Sequence, residues 1–209
     1  MAERFVGFYW TLPVNWAGFR DLAVDVVDAA KASQTIRYQR ECVRRYVADE
    51  HGELIDEIAF MDVRTDRATE IVEAELKRRA SKYAGNATLL SVAFDEHHRW
   101  RHNPYLHAAA EAIGIKLLAL PPDPIELDGR RFDPIAHFTK WRSRDVEEKD
   151  RLRYAAIHGI AEAMQQIPTK RGRWAEIAET LNAQGVRSIQ GNVWTAEGVR
   201  KLATRMAAP

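Results

Sequence analysis

The sequence predicts an α/β fold: a mostly parallel sheet of about four strands flanked by helices, followed by a small all-helical domain. Three observations predict it. Short apolar runs at 5–10, 54–60, 88–94 and 115–120 alternate with stretches of helical periodicity. The run Pro121-Pro122-Asp123-Pro124 ends that alternation abruptly. Beyond it, from about Ser143, the pattern is helical only.

FVGFYW, at 5–10, reads as a buried strand in which Gly7 permits close approach. The segment TLPVNWAGF after it is irregular, held by Pro13 and Gly18. Phe19, Leu22, Ala23, Val26 and Ala30 mark one face of a first helix. A second runs from about Gln34 to Asp49, with Ile36, Val43, Tyr46 and Val47 inward, and Gly52 breaks it. LIDEIAF, 54–60, is the next strand, and a helix from about Arg67 to Tyr83 carries Val72, Leu76, Ala80 and Tyr83 at helical spacing. After a turn at Gly85-Asn86, TLLSVAF at 88–94 is a continuous apolar run, as expected for a strand covered on both faces. Pro104 opens a helix through Ala112, Gly114 ends it, and IKLLAL at 115–120 is the fourth strand. Function in such sheets collects at the carboxyl ends of strands, here 11–33, 61–67 and 95–103.

Residues 125–143 read as a connector, with a turn at Asp128-Gly129 and an apolar-aromatic stretch from Phe132 to Trp141. A helix from about Ser143 to Gln166 would bury Ile157, Ile160, Met164 and Ile167. The expected organisation is an α/β domain at 1–124, the connector at 125–143 and a helical domain at 144–209.

Arg173 to Met206 reads as two amphipathic helices across a polar turn. Trp174, Ile177, Ala178 and Leu181 stripe the first; Val199, Leu202, Ala203 and Met206 stripe the second. Asn182 and Gly185 are expected to end the first helix in left-handed conformation. Thr195 is expected to cap the second, with Glu197 in its first turn. A pair of this kind packed on a third helix is the architecture of a helix-turn-helix DNA reader.

The 209 residues are 46% hydrophobic and 29% charged, ordinary for a globular chain. The single cysteine, Cys42, excludes an intramolecular disulfide and reads as a packed thiol in a helix. No apolar run approaches a membrane span, and no basic-then-apolar leader opens the chain; a cytoplasmic protein with no membrane partner is expected. Charge is unevenly placed. Residues 151–209 hold nine Lys/Arg against four acids, so with +1 overall the first 150 residues carry −4. A basic module on a mildly acidic body suits a polyanionic partner.

Two stretches resemble the serine recombinases (resolvases and invertases) that carry a recombinase-type DNA-binding segment. SQTIRYQRECVRRYVADEHGELIDEIAFMD, 33–62, is similar to the family's first helix and second strand. IAETLNAQGVRSIQGNVWTAEGVRKL resembles its pattern of a helix ending in Leu-Asn-x-x-Gly, a polar turn, and Gly-x-x-Trp-[Ser/Thr] opening the next helix. The resemblance implies a resolvase-like α/β domain and a chemistry in which a serine hydroxyl attacks a DNA phosphate while arginines hold it. Such chemistry needs a nucleophile within reach of phosphorus and fixed positive donors around the equatorial oxygens.

Set against that pattern, the catalytic positions depart. Trp10 stands where the arginine of the family's Arg-x-Ser belongs and Leu12 where the serine belongs; an alignment through Gln34 and Gln39 puts Ala30 at the serine position instead. The nearby hydroxyls are Thr11 and Ser33, and Ser33 also reads as the cap of the helix at Gln34. Arg67 matches the arginine of the loop after the second strand. Arg101 matches the last arginine of the cluster after the third, where His97 and His98 replace the family's aspartate and first arginine and Arg99 is displaced. The helix expected at 19–30 would sit where the active-site loop should be open.

Other chemistries fit less well. Asp95, His97, His98 and His102 match no compact zinc spacing, so no metal is expected. Asp56 and Glu57 are adjacent on a strand, point to opposite faces and cannot act as a pair. No Gly-rich phosphate loop is present and no cofactor is expected.

The expectation is therefore a site-specific double-stranded-DNA-binding protein of serine-recombinase descent without strand cleavage, acting as a regulator or recombination accessory factor and forming a homodimer or higher homo-oligomer. Arg200, Lys201 and Arg205 would lie on the exposed side of the last helix, with Thr195 and Glu197 near its N-terminus. Arg187, Gln190 and Asn192 would touch DNA from the turn, and Arg171 and Arg173 from before the first helix. The alternatives are an active strand-exchange enzyme with a relocated nucleophile and a ligand-sensing regulator using the cleft at the sheet's carboxyl end.

Overall fold

β1 (Arg4–Thr11) is the strand on which the sheet is laid. The computed structural model describes residues 2–14, 17–61, 68–83, 87–94 and 104–207. The chain divides into two units, Met1–Pro13 with Arg20–Phe138, and Val14–Phe19 with Thr139–Pro209.

In the first unit β1 pairs in parallel with β2 (Glu53–Met61) on one side and β3 (Ala87–Val92) on the other, and β4 (Lys116–Leu120) adds beyond β3. The order is β2-β1-β3-β4, parallel throughout. The central strands are buried along almost their whole length, which explains the continuous apolar runs. The edge strands are half-buried.

α1 (Val26–Ala32) and α2 (Gln34–Asp49) connect β1 to β2, α3 (Ala68–Tyr83) connects β2 to β3, and α4 (Pro104–Ala112) connects β3 to β4. The chain thus leaves β1 first to one side and then to the other. Right-handed crossovers in opposite directions place α2 and α3 on opposite faces. The side chains agree. Glu57 takes Arg40 Nε at 2.8 Å and Arg44 Nη2 at 3.2 Å from α2. Its neighbour Asp56 takes Arg79 Nη1 at 3.1 Å and the Tyr83 hydroxyl at 3.1 Å from α3. The two adjacent carboxylates are separated by the sheet, as the strand period requires.

β1 and β3 part company early. Their pairing runs from Arg4↔Ala87 to Gly7↔Leu90 and stops, while β1 continues along β2 to Thr11↔Met61. This is the switch point of the sheet, where open α/β folds hold ligands. Here it is filled. Trp10 lies edge-on to Phe94 at 5.9 Å, and Phe94 meets Tyr38 at 6.3 Å and Phe138 at 5.0 Å. Gln39, fully buried on α2, replaces the missing strand: its Nε2 donates to the Trp10 carbonyl at 2.7 Å and its Oε1 accepts from the Trp10 N–H at 3.2 Å. Gly7 also has a local reason. A Cβ there would overlap the phenol of Tyr9, which folds back across it to donate to Glu57 Oε1 at 3.0 Å.

Two elements differ from expectation. The helix anticipated over 19–30 begins only at Val26, because the Asp25 carboxylate caps it by accepting from the Asp28 N–H at 3.0 Å. Upstream, Val14 and Phe19 form an antiparallel bridge around Gly18, at φ 74°, which removes that backbone from any helix. The connector at 125–143 is mostly ordered structure. β5 (Ile125–Leu127) and β6 (Arg130–Phe132) form a hairpin, and α5 (Pro134–Gln166) starts nine residues before the expected Ser143. Asp133 accepts from the Ala136 N–H at 3.0 Å, and Pro134 takes the first helical position, where its missing N–H costs nothing.

Candidate nucleic-acid interface

The second unit builds its core from three helices. The C-terminal half of α5 contributes Ala156, Ile160 and Ala163, with Ile167 just past its end; α6 (Arg173–Ala183) contributes Ile177, Ala178 and Leu181; α7 (Ala196–Met206) contributes Val199 and Ala203. The stripes of α6 and α7 are the expected ones apart from Met206, with Trp174 and Leu202 half-buried at their edges, but the buried face of α5 is turned by one residue: Ala156 and Ala163 take the core places expected of Ile157 and Met164, which are half-buried. Met206 departs from its stripe and is exposed. Gly159 leaves room for α6, since a Cβ there would lie 2.8 Å from Leu181 Cδ2.

The turn between α6 and α7 is fixed by a feature that periodicity does not reveal. Asn182 Nδ2 donates to the Trp194 carbonyl at 3.0 Å, and the Trp194 N–H donates to Asn182 Oδ1 at 2.8 Å. Asn182 is thus a helical residue whose side chain clamps the turn, and only Gly185, at φ 73°, takes the left-handed conformation expected of both. Gly191, at φ 76°, closes a second bend in which the Ser188 N–H donates to the Asn192 carbonyl at 2.9 Å. Trp194 is 7% exposed and anchors the far end of this loop in the core. The Thr195 hydroxyl caps α7 by accepting from the Gly198 N–H at 3.1 Å.

The outer side of α7 is polar and charged. Glu197 receives Arg200 through two hydrogen bonds of 2.8 Å, with Lys201 Nζ at 3.5 Å. The Arg200 hydrogen bonds, opposed by desolvation and aided by the charges of Arg200 and Lys201, hold the Glu197 carboxyl down to about 2. Arg171, Arg187 and Arg205 are exposed and make no ion pair among the described residues, and Gln190 and Asn192 are exposed in the turn. Arg173 is different in kind. It donates to the Met164 carbonyl at 2.5 Å and to Thr169 Oγ1 at 2.9 Å, closing the last turn of α5. It is half-buried, whereas Arg171, Arg187, Arg200, Lys201 and Arg205 are exposed.

At the carboxyl end of the sheet, the hydroxyls nominated as surrogate nucleophiles are both buried. Thr11 is 7% exposed at the end of β1. Ser33, 6% exposed, accepts from the Ile36 N–H at 3.3 Å as the cap of α2. Trp10, where the resemblance would place an arginine, is 7% exposed and packs inward. Arg67 and Arg101, together with Asp95, His97, His98, Arg99 and His102, lie outside the described residues. Among the described residues no group of three or more His, Cys, Asp or Glu side chains is placed to hold a metal ion. Burial pushes the Cys42 thiol up, a hydrogen bond with Tyr38 opposing it only in part, which suits a packed rather than a reactive thiol. No helix among the described residues is long and apolar enough to cross a membrane.

Comparisons with protein-family models, with curated proteins and with solved structures return no match.

Proposed function

We propose that this chain is a site-specific double-stranded-DNA-binding protein of serine-recombinase descent, without strand-cleavage activity, that works as a regulator or recombination accessory factor in a homodimer or higher homo-oligomer. One observation carries the reading. α7 is held by Val199, Ala203 and the Asn182–Trp194 clamp so that Thr195, Glu197, Arg200, Lys201 and Arg205 all face outward from one short helix. A helix fixed from behind, with base-reading residues at its N-terminus and cations along it, suits a major groove. Arg187, Gln190 and Asn192 in the preceding turn suit phosphate contacts. The loss of cleavage is supported by the inward-facing Trp10 and by the burial of Thr11 and Ser33, because a nucleophile must reach a phosphate on the surface.

The test is selection of bound fragments from genomic DNA by the full chain, followed by titration of a selected duplex at several salt concentrations. Tight binding that falls steeply with salt is expected, along with loss of binding when 168–209 is deleted. Binding that survives the deletion would overturn the assignment to this module. A covalent protein–DNA adduct abolished by Thr11→Ala or Ser33→Ala would restore the recombinase reading.

A further inference from the structure

The first unit carries a second concentration of positive charge, at the carboxyl end of the sheet between α2 and the chain that follows β4. A cleft of about 430 Å³ lies between the first turns of α2 and the β5–β6 hairpin. Three arginines line it, Arg37 from α2 and Arg130 and Arg131 from β6, against one carboxylate, Asp128. Leu127 and Phe132, 8% and 7% exposed, supply apolar surface beside them.

The cleft is built rather than incidental. Asp128 and Gly129 turn the hairpin with φ of 53° and 71°, two successive positive values, as the tight type I′ turn demands. The hairpin and the residues leading into it are tied to α2 at three places. The Tyr38 hydroxyl donates to the Asp123 carbonyl at 2.8 Å, Arg45 Nη2 donates to the Glu126 carbonyl at 2.6 Å, and Arg37 Nη1 meets Asp128 Oδ2 at 2.8 Å. The Tyr38 and Phe132 rings pack 5.1 Å apart beneath these contacts.

The cations are left under-compensated. Asp128 is already paired with Arg37, and Arg130 and Arg131 make no ion pair among the described residues. Arg37 retains a buried Nε–H with no partner among them. A buried donor without an acceptor is costly, and a dianion with several acceptor oxygens would relieve it. Three cations and one carboxylate leave a local charge near +2, which matches a phosphate group above its second ionisation.

We propose that this cleft is a phosphate-binding site, taking either a free phosphate or phosphate monoester or a phosphate of the DNA backbone. It is a different surface from α7, and its free-phosphate arm can be read without any DNA.

The experiment uses the full chain. Thermal unfolding is followed while inorganic phosphate replaces chloride at constant ionic strength and pH 7.5. In parallel, the salt dependence of binding to a random-sequence duplex is measured. Both are repeated with the Arg130→Ala/Arg131→Ala double variant and with Arg131→Lys, which keeps the charge but loses the planar fork. Both positions are exposed, so unchanged melting in chloride is expected. For a free-phosphate site, the wild-type midpoint rises by a few degrees with phosphate, about as expected for ligand near ten times its Kd. The double variant then responds at least about tenfold more weakly, and Arg131→Lys falls between. For a backbone site, phosphate shifts the wild type and the double variant alike, through its general stabilising effect, but the double variant lowers the salt slope for DNA by one to two, roughly one for each phosphate no longer neutralised. The proposal is overturned if the double variant matches the wild type in both arms, or if the wild type responds to neither ligand.

Discussion

Replacing Asn182 with alanine isolates the device that orients α7. The side chain makes two hydrogen bonds, at 3.0 and 2.8 Å, to the carbonyl and N–H of Trp194. Each is worth about 0.5–1.5 kcal/mol net, and an unmade bond at a buried group costs about 1–3 kcal/mol. Trp194 is 7% exposed, so water replaces the lost partners only in part. The expected loss is about 2–4 kcal/mol, or roughly a 30- to 800-fold increase in local opening, since about 1.4 kcal/mol is tenfold. Amide hydrogen exchange is the suitable assay, because it reads each segment separately. Exchange should accelerate across 182–203 and stay unchanged in the sheet. Asn182→Asp keeps the acceptor for the Trp194 N–H but sets a carboxylate oxygen against its carbonyl, so it should fall short of wild type as well. Exchange in the alanine variant within about threefold of wild type would refute the clamp as the organiser of the turn.

Arg173→Ala should destabilise the second unit by about 1–3 kcal/mol in urea melts, because the Met164 carbonyl loses its charged donor. It should leave the salt slope of DNA binding unchanged, whereas Lys201→Ala should lower that slope by about one with little effect on stability. Glu57 should govern part of the acid limb of stability. Burial opposes its ionisation, but hydrogen bonds from Arg40, Arg44 and Tyr9 outweigh that and hold its carboxyl below the usual range. Its folded value lies below its unfolded one, so the contribution is present above about pH 4.3 and is lost as the pH falls further. Glu57→Gln should therefore be clearly weaker than wild type in urea melts at pH 7, with the gap narrowing toward pH 3. Gly7→Ala should displace the Tyr9 phenol from Glu57 and lower stability by about 1–3 kcal/mol in the same melts.

What could be read from the sequence was whatever repeats locally. β1 and β3 announced themselves as unbroken apolar runs because each is covered on both faces. The stripes of α6 and α7 were legible because a helix periodically buries every third or fourth side chain. The Ser33 and Thr195 caps followed from their position ahead of a helical pattern. The two amide clamps were not legible. Gln39 reaches Trp10 across 29 positions and Asn182 reaches Trp194 across 12, and neither distance leaves a trace in periodicity. Asp25 and Asp133 were missed as caps for a different reason: apolar spacing suggested one helix start too early and a Pro-flanked aromatic stretch suggested another too late. The arginine cleft escaped because Arg37 lies about ninety residues from Arg130 in the chain and meets it only through the hairpin. At the nominated DNA surface, sequence could distinguish charge but not employment: Arg173 and Arg171 look alike on paper, and only one is engaged in closing a helix.

The indole of Trp10 occupies the crevice where parallel sheets ordinarily receive small molecules, and this makes the crevice recoverable. Trp10→Ala would remove a bicyclic aromatic from beside Phe94 while leaving the backbone grip of Gln39 in place, because that grip uses only main-chain atoms of residue 10. A hollow walled by aromatic and aliphatic groups tends to stay dry and to admit an aromatic guest. Added indole should then restore part of the lost melting temperature, turning a sealed core position into a chemically addressable one.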